Sequence, residues 1–143
     1  MIHLEVLTAE SSVVSTDVDS MVATTLDGQI AVLRGHASLV SVLRPGELVL
    51  RTGDQEAYLA VSGGFLRVTP DGITVLADAC EYAEEIDVER AEAAKRRAEE
   101  LLATAAPETD AAAAEAALRR SIARLRVADK YRRRPRRRVV PTP

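Results

Sequence analysis

At Cys80 the sequence changes character so abruptly that its two sides cannot form the same kind of secondary structure. From residue 86 to 128, 15 of 43 positions are alanine, glycine is absent and the only proline is Pro107. Alanine loses no side-chain freedom in a helix, so this stretch reads as helical. Ahead of the break, apolar and β-branched runs at 2–7, 21–25, 30–33, 39–43, 48–51, 58–61, 65–68 and 73–76 read as strands. Turn formers stand between them at Asp27-Gly28, Pro45-Gly46, Gly53-Asp54, Gly63-Gly64 and Pro70-Asp71-Gly72. The expected fold is β plus α: an N-terminal antiparallel β-sandwich or barrel, then a C-terminal antiparallel two-helix hairpin.

In the first helix, expected over 87–105, Ala91, Ala94, Ala98, Leu101, Leu102 and Ala105 recur every three or four residues, and Asp87 suits the N-cap. Proline disfavours helix at the residue before it, so Pro107 ends that element, and Thr109 or Asp110 can cap a second helix reaching about residue 131. There Ala111, Ala114, Leu118, Ile122 and Leu125 form the predicted seam, with Arg120 and Arg124 on the opposite side beside Ala113 and Ala117. Alanine seams release little apolar area at about 25 cal/mol per Å², so the hairpin can detach. The divisions are 1–85 for the sandwich, 86–131 for the hairpin and 132–143 for an arginine- and proline-rich tail.

Charge separates the two halves as sharply as composition does. Residues 1–85 carry 4 basic and 13 acidic side chains, whereas 86–143 carry 15 and 9. The halves should therefore meet different partners. Six arginines in seven positions, Arg132 to Arg138, resist folding and would be drawn to acidic protein segments or anionic headgroups. That tail admits a rival reading as a nucleic-acid-binding module. One phenylalanine, three tyrosines and a strongly acidic sandwich oppose it, and no nucleic-acid partner is expected.

Catalytic chemistry finds little to work with. His3 and His36 are the only histidines, and neither a Gly-x-Ser-x-Gly elbow nor a Gly-rich phosphate loop occurs. His36, in a turn, reads as a hydrogen-bonded structural residue. A lone Cys80 excludes an intrachain disulfide and a thiolate-rich metal site and reads as a small apolar residue. No metal or required cofactor is expected. No apolar run is long enough to span a bilayer and no secretory signal is evident, so the expected location is cytosolic or peripheral on a membrane complex.

Several motifs carry a family resemblance over residues 1 to about 131. They are Gly35-His36-Ala37-Ser38-Leu39-Val40, Arg44-Pro45-Gly46, Val61-Ser62-Gly63-Gly64-Phe65-Leu66-Arg67-Val68, Val75-Leu76-Ala77-Asp78, and Ala83-Glu84-Glu85-Ile86-Asp87 with Arg90-Ala91. With the strand-then-hairpin order, the chain resembles the epsilon subunit of bacterial F-type ATP synthase. The resemblance implies a non-catalytic central-stalk subunit, peripheral on the cytoplasmic face of the cell membrane. It would couple the gamma subunit to the c-ring during proton-driven ATP synthesis. Its hairpin, folded on the sandwich or extended toward the alpha/beta catalytic head, would regulate ATP hydrolysis.

The resemblance further implies ATP as a regulatory ligand on the folded hairpin, at Glu81, Ile86, Asp87, Arg90, Ala91, Arg120 and Arg124. Taken by themselves, the arginines are equally a solvated helix face. Glu81, beside Glu84 and Glu85, reads as surface. Contact with the c-ring and gamma would fall at Gln29, Arg34 and His36. There Gln29 stands where the family usually has an acid and Arg34 where it has proline, which makes the contact neutral or cationic.

Overall fold

The structure, a computed structural model, describes residues 1–104 and 110–133. Among the described residues, nine strands precede a one-turn 3-10 segment and two helices. The strands are β1 (Ile2–Leu7), β2 (Ser12–Val18), β3 (Ser20–Thr25), β4 (Gly28–Leu33), β5 (Leu39–Thr52), β6 (Gln55–Val61), β7 (Gly64–Thr69), β8 (Gly72–Ala77) and β9 (Cys80–Tyr82). The helices are α1 (Val88–Thr104) and α2 (Ala111–Arg133).

The β-then-α order and the sandwich stand as the sequence predicts, with four refinements. The 39–43 and 48–51 runs are halves of one strand, β5, and Pro45-Gly46 is a corner inside it rather than a turn between strands. The first half pairs with β7, the second with β6, and β3 spans the corner between them. At the corner, Thr25 faces Leu43 while Ala23 faces Leu48, so the partner strand β3 shifts register there. Pro45 has no N–H to give a ladder, which suits it to this place. Gly46 is required by close approach, because a Cβ there would stand 2.8 Å from Cβ of Thr24.

A second refinement is β1, which runs parallel to β8 while every other pairing is antiparallel. The third is β2, whose polar Ser15 and Asp17 alternate with fully buried Val14 and Val18. The fourth is β9, three residues long, which pairs with β6. Between β7 and the preceding turn, Gly64 (φ 133°) brings the backbone so close to β8 that a Cβ would strike the Leu76 carbonyl oxygen.

The sandwich interior is filled by Leu4, Met21, Leu48, Leu50, Leu59, Leu66, Ile73 and Val75, all almost wholly removed from water. Strand β6 is buried without interruption from Ala57 to Val61. Continuous burial means that both of its faces are covered. Ala57, Leu59 and Val61 face the core, while Tyr58 and Ala60, with Val49 of β5, lie under the hairpin in a second cluster with Ala83, Ile86, Val127 and Ala128.

α2 is the helix that rests on the sheet, and α1 lies against α2. Asp110 caps α2, its Oδ1 accepting from N–H of Ala113 at 3.0 Å. The predicted seam of α2 is corrected: Ala111 is exposed, Leu118, Ile122 and Leu125 are half-buried, and Ala114, Ser121, Ala123, Val127 and Ala128 are buried. A helix wedged between a sheet and another helix needs two buried lines, and small residues let both neighbours approach. On α1 only Ala91 and Ala98 are fully covered, and Leu101 is half exposed. Ala105, Pro107 and Thr109 lie outside the described residues, as does the tail beyond Arg133.

Candidate functional site

The seam between hairpin and sandwich encloses two adjoining cavities. One, about 370 Å³, lies between the β6–β9 edge and the two helices. Six of its lining residues are small, Ala60, Ser62, Ala79, Ala94, Ala117 and Ser121, which leaves room for a flat body. The other, about 800 Å³ and open to solvent, is lined by Arg90, Arg96, Arg97 and Arg124 together with Glu81, Glu85, Asp87 and Glu100.

Glu81 and Arg124 line both cavities. Their side chains are 29% and 31% exposed and form a two-pronged ion pair, Nε to Oε1 at 2.5 Å and Nη2 to Oε2 at 3.5 Å. The pair stands at the boundary of the two spaces and ties α2 to β9. Surface as an assignment for Glu81 is thereby corrected: Glu84 and Glu85 are exposed, but β9 turns Glu81 toward the hairpin. Arg124 likewise faces the seam rather than bulk solvent.

Asp87 caps α1, its Oδ1 accepting from N–H of Arg90 at 3.1 Å and its carbonyl from N–H of Ala91 at 3.0 Å. The cap leaves the Arg90 side chain exposed on the rim of the open cavity. Arg120 lines the smaller cavity. Of the seven residues assigned to ATP, the structure thus brings Glu81, Asp87, Arg90, Arg120 and Arg124 to the cavity walls. Ile86 and Ala91 are buried instead, Ile86 in the hairpin-docking cluster.

Cys80 lines the small cavity, and burial pushes its thiol up to about 12, with Glu81 and Glu85 adding to the shift. A thiol so shifted is a poor nucleophile, consistent with a packing role. Tyr82 is pushed up to about 12 by the same burial. Neither helix is long and apolar enough to cross a membrane, and no group of potential metal ligands occurs among the described residues.

Gln29, Arg34 and His36 are all exposed, but Gln29 is the second residue of β4 and Arg34 follows its end. At about 3.3 Å per residue they lie roughly 16 Å apart along the strand. His36 is held by its turn, with its N–H donating to the Leu33 carbonyl at 3.1 Å and Nδ1 2.6 Å from the Ala37 carbonyl.

Two features escaped the sequence reading. Lys130 Nζ donates to Glu47 Oε1 at 2.6 Å, a second clamp between α2 and the sandwich. Val42, Phe65 and Leu76 stand side by side across β5, β7 and β8, all exposed, with Val40 one step along. Alternation signals this row, because Leu66 and Val68 point inward and so Phe65 must point out.

Comparison with known proteins matches the sandwich and the helical segment separately. The family described as ATP synthase, Delta/Epsilon chain, beta-sandwich domain matches residues 1–83. Its companion, the long alpha-helix domain of the same chain, matches 84–129. An ATP synthase epsilon chain from Dehalococcoides mccartyi is 49% identical over 135 residues, 94% of this chain and 96% of that one. One from Chloroflexus aggregans is 45% identical over 132 residues, covering 92% and 94%. A chain in the structure of Euglena gracilis mitochondrial ATP synthase superposes with a TM-score of 0.79 at 23% identity, covering 91% of this chain and 81% of that one, and so shows the fold.

Proposed function

The chain belongs to the delta/epsilon family of ATP synthase subunits, and from that premise we propose that it is a non-catalytic subunit of the central stalk. It couples gamma to the c-ring through its sandwich and restrains ATP hydrolysis through a hairpin that can leave the sandwich. Peripheral attachment on the cytoplasmic face of the membrane follows from that role.

The observation that carries this reading is how lightly the hairpin is held. Its docking cluster is Val127 and Ala128, with Tyr131 packed beside them, over Val49, Tyr58, Ala60, Ala83 and Ile86, with two ion pairs, Glu81–Arg124 and Glu47–Lys130, at its margins. Pairs this exposed contribute about 1 kcal/mol or less each. A hairpin held by a few kcal/mol is one that a partner surface can capture. The exposed row at Val42, Phe65 and Leu76 suits a broad apolar contact such as gamma would make, and leaves Arg34 and His36 free for the c-ring.

ATP as a regulatory ligand is supported by the paired cavities. The small-residue space suits a base and ribose, and Arg90, Arg96 and Arg97 beside the open space suit a polyphosphate. A ligand bridging α1, α2 and β9 would favour the docked hairpin in proportion to its binding.

The decisive comparison is ATP hydrolysis by the assembled complex carrying the full chain or a version cut after Ile86, with and without a proton gradient. Faster hydrolysis after truncation supports an inhibitory hairpin. Equal rates would overturn the regulatory part and leave coupling alone.

A further inference from the structure

On the side of α2 away from the seam cavities lies a third space of about 780 Å³, bounded by the β3–β4 turn, the β5 corner and the helix. Arg119, Ile122, Ala123, Arg126, Val127 and Lys130 line it from α2, at the spacing of one helical face. Leu26, Gln29, Leu43, Arg44, Pro45 and Glu47 line it from the sandwich.

Its charge is unbalanced. Among the described residues, four cations, Arg44, Arg119, Arg126 and Lys130, meet two acids, Glu47 and Asp129. Both acids are already engaged, Glu47 by Lys130 at 2.6 Å and Asp129 by Arg133 at 3.1 Å. Arg119 reaches only an exposed Glu115 at 3.7 Å, and Arg44 and Arg126 have no acidic partner among the described residues. Guanidinium groups from the helix and from the sheet corner thus converge on one groove. Its accessible floor is apolar: Leu26 is half exposed, and Pro45 and Ile122 are partly so.

We propose that this groove binds a small phosphorylated molecule that carries an apolar or aromatic body, the phosphate meeting Arg44 and Arg126 and the body lying on Leu26, Pro45 and Ile122. Arginine suits the phosphate because its planar fork donates two parallel hydrogen bonds. The floor supplies area that inorganic phosphate cannot use. Because one wall is α2 and the other is the sandwich, an occupant binds the docked hairpin alone, and it does so independently of the seam cavities.

Phenyl phosphate and inorganic phosphate, titrated separately into the full chain and followed by backbone amide NMR, test this. Saturable shifts at Arg44, Glu47, Ala123 and Val127, tighter for phenyl phosphate, are expected. Loss of one charge-assisted contact in Arg44→Gln or Arg126→Gln should weaken binding roughly tenfold, whereas Arg120→Gln, in the seam cavity, should not. Both groove residues are exposed, so the variants should keep the wild-type spectrum elsewhere. Absence of saturable shifts in the groove, equal binding by both groove variants, or loss of binding in Arg120→Gln would overturn the proposal.

Discussion

Replacing Val127 with alanine separates hairpin docking from sandwich stability. Val127 is completely buried, and its neighbours Val49, Tyr58, Ala60, Ala83, Ile86 and Ala128 form a cluster distinct from the sandwich interior. The substitution removes two methyl groups at about 0.8 kcal/mol each, and partial collapse of the void adds a few tenths. The docked state should therefore lose about 2 kcal/mol, which shifts the docked-to-released ratio by roughly 25-fold. Native-state hydrogen exchange reads this by region. Amides of α2 and α1 should exchange faster by about that factor, while the amides of β1, β7 and β8 keep their protection. In the assembled complex a larger released population should slow ATP hydrolysis, opposite in sign to cutting after Ile86. Uniform acceleration of exchange through the sandwich would refute the reasoning, because it would mean that hairpin and sandwich unfold as one unit.

Cys80 offers a chemical probe of the same equilibrium: with its thiol pushed from 9.0 up to about 12 by burial, alkylation at pH 8 should run about a thousandfold slower than for a free thiol, and Val127→Ala should speed it. Unfolding releases that shift, so stability is complete below pH 9 and declines as pH rises toward 12, with Tyr82 adding from about 10 upward; a flat denaturant midpoint between pH 8.5 and 11 would contradict both shifts. Gly46→Ala drives a Cβ to 2.8 Å from that of Thr24 and should cost about 1–3 kcal/mol, read as a lower urea midpoint that Thr24→Ala does not restore because the clashing Cβ remains. Arg124→Gln should cost about 1 kcal/mol or less in stability, since its pair with Glu81 is nearly a third exposed, yet abolish any protection of the hairpin by ATP in the same exchange experiment.

Strands with clean alternation or strong apolar runs, such as β7 and β8, were legible from side chains alone, as was the break into helices. β2 was not, because at a sheet edge Ser15 and Asp17 meet water and dilute the signal of Val14 and Val18. The corner at Pro45-Gly46 has the same local chemistry as a turn. Only the close approach of Thr24, remote in sequence, distinguishes the two. The α2 seam departs from expectation for a related reason: side-chain size points to Leu118, Ile122 and Leu125 as the buried residues, whereas a helix pressed from two sides buries its small ones. Of the cavity arginines, Arg90 is named by its motif and Arg120 and Arg124 by the family resemblance, whereas Arg96 and Arg97 emerge only from the fold. Engagement of Arg124 by Glu81 was not legible either, since the pair joins residues 43 positions apart.

The hairpin has two interfaces of different kinds, and their difference constrains how it can move. Between α1 and α2 the contact runs along both helices, whose buried residues are mostly small, Ala91 and Ala98 on α1 and Ala114, Ser121 and Ala123 on α2. Between α2 and the sheet it is made by Val127 and Ala128 over a β-branched and an aromatic residue, Val49 and Tyr58, with an ion pair at each margin. α1 reaches the docking cluster only at its first residue, Val88. Holding α1 therefore falls almost entirely to α2, and a short isolated pair of helices with an alanine seam is marginal in water. Release of α2 from the sheet removes the contact that carries Val127, Val49 and Tyr58 and leaves the two helices to an alanine-rich seam. A released hairpin is thus stable only where another surface takes over the role of Val49 and Tyr58, which makes the availability of that surface, rather than the hairpin's own packing, the quantity that sets how often it is found extended.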